Sequence, residues 1–241
     1  MKRAIVIGAS SGIGQSVARQ LLADGWVLGV AARRVDRLKA LQSESPDRVV
    51  TACIDVDQAD APSQLRQLIE RMDGQVSLFV YASGIGRQNP TLEADIETAT
   101  ATTNALGFIR MIGESYRFFA EQGGGHITAI TSIAGTKGLG HAPAYSATKA
   151  MQATYIQALE QLSRKNHLNI HFTDIRPGFV DTDLLSGTHH YPMLLKTDDV
   201  ARTIIKAINH RRHVVIIDWR WCVVTAFWRC IPNCLWRLMK V

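Results

Sequence analysis

Short apolar runs alternate along the chain with longer stretches whose apolar residues recur every three or four positions. The runs are "RAIVIG" (3–8), "WVLGVAA" (26–32), "RVVTACID" (48–55), "VSLFVYAS" (76–83), "GHITAITSIAG" (125–135), "LNIHFTDIRPG" (168–178) and "HVVIID" (213–218). Their length and content of branched and small apolar residues predict strands. Between them, "GIGQSVARQLLADG" (12–25), "RVDRLKALQ" (34–42), "APSQLRQLIERM" (61–72), a long stretch around 101–122, "PAYSATKAMQATYIQALEQLSRK" (143–165) and "TDDVARTIIKAIN" (197–209) predict helices, the last with Thr197 as N-cap. Strands that are apolar throughout cannot leave a face in water. The pattern therefore predicts a parallel sheet covered by helices on both sides, a three-layer, doubly wound α/β fold. No repeat, low-complexity tract or linker divides the chain, so residues 1–218 read as one domain.

The last stretch, 219–241, breaks the alternation. Trp219, Cys222, Val223, Ala226, Phe227, Cys230, Ile231, Cys234, Leu235, Leu238 and Met239 fall at helical spacing, with a kink expected at Pro232. Trp221, Trp228 and Trp236 lie off that stripe, and the charges beyond Asp218 are Arg220, Arg229, Arg237 and Lys240. The arginines interrupt the segment too often for a membrane span. The stripe predicts a helix packed on the domain or on a second subunit, because amphipathic helices usually cover a core. The alternative is a helix lying flat on an anionic membrane.

Composition changes this picture little. The chain has 241 residues, 46% hydrophobic and 20% charged, as for an ordinary globular protein large enough to need no disulfide or metal staple. Cys53, Cys222, Cys230 and Cys234 form no Cys-x-x-Cys pair, so reduced thiols and no metal site are expected. The start, "MKRAIVIGAS", is too short an apolar run for a signal peptide, and a cytoplasmic location is expected. The net charge of +6 is spread along the chain without a basic block, which argues against nucleic acid and leaves room for a phosphate-bearing ligand.

The first strand runs into "GASSGIG", with Gly8, Gly12 and Gly14 before a helix. Glycines let the backbone turn sharply and approach a pyrophosphate, and the free N–H groups of the helix N-terminus favour the anion. The spacing is Gly-x-x-x-Gly-x-Gly. Where such sites hold an acid against the adenosine ribose, the second strand instead ends "AARR", with Arg33 and Arg34. Guanidinium groups suit a 2′-phosphate, so NADP(H) is expected in preference to NAD(H).

Tyr145 and Lys149 share a helix face at i and i+4. Alone, the pair is an exposed polar stripe as readily as a catalytic one. Ser132 ends the preceding strand, and Asn104 sits inside a helix, where asparagine is mildly unfavourable. In a parallel sheet, ligands sit beyond the carboxyl ends of the strands, where these residues and the glycine turn can converge. A lysine ammonium beside a phenol favours the phenolate, so Tyr145 could exchange a proton with a substrate oxygen held by Ser132.

With these motifs the chain resembles the short-chain dehydrogenase/reductases over residues 3–217. The resemblance rests on "GASSGIG", Asp55–Val56, Asn104, Ser132, "YSATK" and "RPGFVDTD" from Arg176. It implies a seven-stranded Rossmann-type sheet and a homodimer or homotetramer. It also implies a catalytic set: Tyr145 as general acid/base, Lys149 lowering the tyrosine pKa and binding the nicotinamide ribose, Ser132 orienting the substrate oxygen, and Asn104 supporting a water-borne proton relay. The implied cofactor contacts are Gly8, Ser10, Ser11, Gly12, Ile13, Gly14, Arg33, Arg34, Asp55 and Val56, with Ala82, Ser83 and Gly84, Tyr145 and Lys149, and Pro177, Gly178, Val180 and Thr182. Two places depart from the family pattern: Ile7 where threonine is frequent, and "YASG" (81–84) where Asn-Asn-Ala-Gly is frequent.

The expected activity is reduction of a carbonyl, or the reverse, by hydride transfer. The competing class is a non-catalytic NADP(H)-binding regulator or membrane-docked scaffold on the same fold. Leu184, Leu185, Tyr191, Met193 and Leu194 follow the last motif and suggest an apolar substrate. His189 and His190 in that loop read as solvated rather than catalytic.

Overall fold

The computed structural model describes residues 1–185 and 191–239. Seven strands form one parallel sheet: β1 (Arg3–Ile7), β2 (Val27–Ala32), β3 (Val49–Cys53), β4 (Leu78–Tyr81), β5 (Gly125–Ile130), β6 (Ile170–Arg176) and β7 (Val214–Ile216), in the order β3-β2-β1-β4-β5-β6-β7. The order reverses between β1 and β4, which opens a crevice at their carboxyl ends.

Alternating residues supply the two cores. Ala4, Val6, Leu78 and Val80 face one side, against α1 (Gly12–Ala23), α2 (Val35–Glu44) and α7 (Thr197–Asn209). Ile5, Ile7, Phe79 and Tyr81 face the other, against α3 (Ala61–Glu70), α5 (Phe108–Gln122) and α6 (Pro143–Lys165). The large aromatics Tyr81, Phe108, Phe119 and Phe172 all join the second side, with the Tyr81 and Phe108 rings edge to face at 5.1 Å.

Several boundaries differ from the sequence pattern. The long helix around Asn104 is α4 (Ala94–Ala101), a π-helical turn (Thr102–Gly107) and then α5. That turn ends at Gly107, where a Cβ would lie 2.9 Å from the Val56 carbonyl oxygen. Thr197 is the first helical residue and Lys196 takes the cap position. The Thr197 hydroxyl instead donates to the Asp181 carbonyl at 2.5 Å, tying α7 to the loop after β6.

The tail departs most. Helix α8 (Trp219–Cys230) ends before Pro232, and α9 (Asn233–Trp236) follows as a separate turn. The residues packed on the domain are Trp221, Thr225 and Trp236, which lie off the expected stripe. The stripe itself, with Trp219, Val223, Phe227, Leu235 and Leu238, is exposed. The reason is local fit. Gly178 leaves room for the Trp221 indole, where a Cβ would lie 2.2 Å from Nε1. Trp236 donates to the Gly138 carbonyl at 2.8 Å, and the Lys137 ammonium donates to the Ile231 carbonyl and to Asn233 Oδ1.

Candidate active site

The glycine turn leaves β1 with Gly8 at φ +85° and Gly12 at φ +54°, a region open to glycine and costly to other residues. It also fits closely against its surroundings. A Cβ on Gly8 would lie 2.7 Å from the Ser83 nitrogen, one on Gly14 2.3 Å from the Gly8 oxygen, and one on Gly12 3.0 Å from Thr182 Cγ2. The turn is thus a cradle shaped by the loop after β4 (Ala82–Gly84) and by Thr182, and its bare backbone fits an approaching diphosphate. The departure at residue 7 does not disturb it: the Ile7 carbonyl accepts from the Ala82 N–H at 2.8 Å.

Arg34 donates to the hydroxyls of Ser11 at 2.5 Å and Ser10 at 3.3 Å, which puts a guanidinium on the cradle rim. Asp183 stands 3.6 Å from Arg34 and 3.3 Å from Arg37. Arg37 thereby joins the rim although the sequence pattern did not single it out. Arg33 is exposed, and its carbonyl accepts from the Cys53 thiol. Asp55 closes its own turn, accepting from the Asp57 N–H, while Val56 is buried in the second core. Ile13 packs on the first core. Val180 lies in that core and pairs with Leu195. Pro177 accepts from the Ile133 N–H and so fixes the turn after Ser132.

Ser132 lies two residues past β5 and caps the 3₁₀ turn Ile133–Thr136, its Oγ accepting from the Ala134 N–H at 3.1 Å. The Tyr145 hydroxyl lies beside the Ser132 side chain. The phenol ring lies on the backbone of Gly86, where a Cβ would fall 2.7 Å from Cδ2 and Cε2. Asn104, 0% exposed, clamps the same loop from both sides: Oδ1 accepts from the Ile85 N–H at 2.9 Å, and Nδ2 donates to the Ile85 carbonyl at 2.7 Å.

Lys149 is buried, with Nζ donating to the Ile130 carbonyl at 3.1 Å and to Gln152 Oε1 at 3.0 Å. Gln152 in turn donates to the Asn104 carbonyl at 2.8 Å. This glutamine, 0% exposed, joins lysine and asparagine through one amide. The sequence pattern overlooked it, yet it lies seven residues after Tyr145 and three after Lys149, on the same helix face.

Burial brings the lysine down to about 8, opposed by the charge of Asp174. The phenol behaves otherwise than its neighbour suggested. Burial holds Tyr145 above the ordinary tyrosine range, and the neighbouring Ser132 hydroxyl opposes this. The Lys149 ammonium is turned to Ile130 and Gln152 and stands 5.8 Å from the ring centroid, so burial outweighs its attraction for a phenolate.

The short chain dehydrogenase family model matches residues 2–191. The chain belongs to that family. An uncharacterized oxidoreductase of Myxococcus xanthus (strain DK1622) is 30% identical over 96% of this chain and 93% of its own length. The farnesol dehydrogenase of Aedes aegypti is 29% identical over 86% of this chain and 90% of its own. Among solved structures, the alcohol dehydrogenase of the archaeon Thermococcus sibiricus, complexed with 5-hydroxy-NADP, is similar with a TM-score of 0.77 and 25% identity, covering 90% of this chain and 96% of that one. This short-chain dehydrogenase is an NAD(P)-dependent oxidoreductase.

In the loop after β6, Phe179 meets Tyr191 at 4.8 Å and Trp221 at 5.6 Å between ring centroids. Trp221 was expected off the packing face and instead forms this wall. Leu184 and Leu194 are exposed, with Leu185 and Met193 half-buried. His189 and His190 lie outside the described residues. No helix among the described residues is long and apolar enough to cross a membrane.

Proposed function

We propose that this short-chain dehydrogenase reduces the carbonyl of an apolar substrate, with Tyr145 as general acid and NADP(H) as the preferred cofactor. One observation carries the reading: a phenol beside Ser132 and a buried lysine converge beside a glycine cradle at the sheet's switch point. A nicotinamide held there supplies the hydride for reduction and takes it up in the reverse reaction.

The chain's own groups would do the rest. Gly8, Ser10, Ser11, Gly12 and Gly14, with Thr182, would seat the diphosphate, and Arg34 with Arg37 would face a 2′-phosphate. Ser132 would hold the substrate oxygen. A phenol kept above its ordinary range stays protonated at neutral pH, as a proton donor must. Lys149 and Gln152 would maintain positive charge behind it, and Asn104 would fix Ile85 and hence the loop on which the tyrosine rests. The aromatic wall of Phe179, Tyr191 and Trp221 supports an apolar substrate. Exposed Leu106, Ile109 and Leu162 support self-association as a dimer or tetramer.

A panel of ketones and aldehydes, followed by NADPH absorbance with an NADH control, tests the reading. Tyr145→Phe is expected to lower kcat at least about a hundredfold while NADPH binding persists. NADPH binding without turnover on any compound, or full activity in the variant, would favour a non-catalytic protein.

A further inference from the structure

We propose that the outer face of α8 and α9 docks this protein on an anionic lipid bilayer. The tail is fixed by its inner face. Trp221 and Thr225 are buried, Trp236 is bonded to Gly138, and Lys137 holds Ile231 and Asn233. With these ties in place the helix cannot turn its other side inward. That other side exposes Trp219 (74%), Val223 (61%), Phe227 (65%), Leu235 (54%) and Leu238 (80%). Large apolar residues so exposed in one segment mark an interaction surface.

Charge decides the occupant. At about 100° per residue, Trp219, Val223, Phe227 and Cys230 cover an arc of about 80°, with Arg220 on one flank and Arg229 on the other. Arg220 is paired with Asp218 at 2.5 Å, and Arg229 borders a cavity of about 370 Å³ shared with Glu160, Asp174, Arg176 and His213. Arg237 is exposed beyond α9. No acid follows Asp218 in the sequence. A second copy docking through the same face would bring Arg229 and Arg237 against their counterparts with no acid of α8 or α9 to meet them. A bilayer of anionic lipids accepts the apolar side chains and pairs the flanking guanidinium groups with headgroups. Trp221, on the inner face of α8, packs on Gly178 and Phe179, so the helix that docks through its outer face also closes the proposed substrate wall with its inner one.

The test is co-sedimentation of the full-length protein with vesicles of equimolar phosphatidylcholine and phosphatidylserine, against phosphatidylcholine alone. Binding to the mixed vesicles, weakened by salt, is expected. Val223→Glu/Phe227→Glu should lower it at least tenfold, and Arg229→Gln/Arg237→Gln should remove most of the phosphatidylserine dependence. Circular dichroism and NADPH fluorescence establish that each variant is folded, and Phe227→Ser serves if the double variant is not. The readout is independent of turnover, so it stands or falls apart from the proposed reaction. Wild-type protein left in the supernatant, or binding indifferent to these substitutions, overturns the proposal. So does a light-scattering mass that halves in Phe227→Ser while vesicle binding is unchanged, since the face would then belong to a second copy.

Discussion

Replacing Gln152 by methionine keeps an unbranched side chain of similar size in a fully buried position and removes one acceptor from the Lys149 ammonium. A hydrogen bond to a charged group contributes about 2 kcal/mol, and one pH unit corresponds to about 1.4 kcal/mol, so the lysine should fall by about 1.5 units. Starting from about 8, it would titrate near about 6.5. At pH 7 the charged fraction then drops from about nine-tenths to about one-quarter. The ammonium lies 5.8 Å from the Tyr145 ring centroid. At that separation and an effective dielectric of about 20, its charge is worth about 3 kcal/mol to a phenolate. Losing most of it makes the phenol harder to ionise.

Alcohol oxidation, which needs the phenolate, should therefore slow about tenfold at pH 7. The rising limb of its pH profile should move up by at least about one unit. The KM for the alcohol should hold, because Gln152 touches no proposed substrate contact. The assay is kcat and KM against pH with the best alcohol from the screen, with thermal unfolding to show that the helix still packs. A profile that superimposes on the wild type, with kcat within about twofold, would refute the assignment of lysine charge to this glutamine.

Three further outcomes follow from the geometry. Gly86→Ala places a methyl 2.7 Å from two Tyr145 ring carbons and should displace the phenol, lowering kcat about a hundredfold while NADPH fluorescence titration shows unchanged affinity. Arg34→Ala removes the guanidinium bonded to Ser10 and Ser11, so KM for NADPH should rise at least about tenfold with NADH kinetics unchanged; equal losses for both would contradict a 2′-phosphate contact. His126, bonded to Thr173, is brought down to about 4, first by burial and then by the charges of His171 and Arg211. The unfolded chain takes up this proton near pH 6.5 and the folded one only near pH 4. Stability is thus full above about 6.5 and falls by up to about 3 kcal/mol toward pH 4. Urea midpoints at pH 7 and 4.5 should diverge less in His126→Gln, and an identical divergence would exclude the histidine.

The fold was legible where local signals agreed with packing. Pro143 at the helix start and the apolar period of 197–209 set α6 and α7 at their observed ends. Strand ends were less legible. "GHITAITSIAG" stays apolar past Ile130 because Ile133 and Ala134 are buried in a 3₁₀ turn, not because the ladder continues. The π turn at Asn104 carries no sequence signature, and its Gly107 meets Val56 only across the domain. The tail misled for a related reason. α8 is apolar nearly all round, so hydrophobic period alone could not choose a face, and the cavity above Gly178 chose Trp221.

The candidate site follows the same division. Tyr145, Lys149 and the glycines are visible as motifs because their spacing along one element is their function. Gln152 shares that helix face but belongs to no motif, and its meaning appears only when α6 is laid against the Asn104 turn. The loops that meet there have no regular structure of their own. They are held by paired long-range ties: Asn104 on both backbone groups of Ile85, Leu195 between Phe179 and Asp181, and Thr197 on Asp181. Each tie fixes a backbone segment rather than a side chain, so a neighbouring residue can change while the cleft keeps its shape. This accounts for a cradle that remains closed with Ile7 and "YASG" in place of the more frequent family residues. The Ile7 carbonyl and the Ala82 N–H make the bond, and neither depends on which side chain is attached.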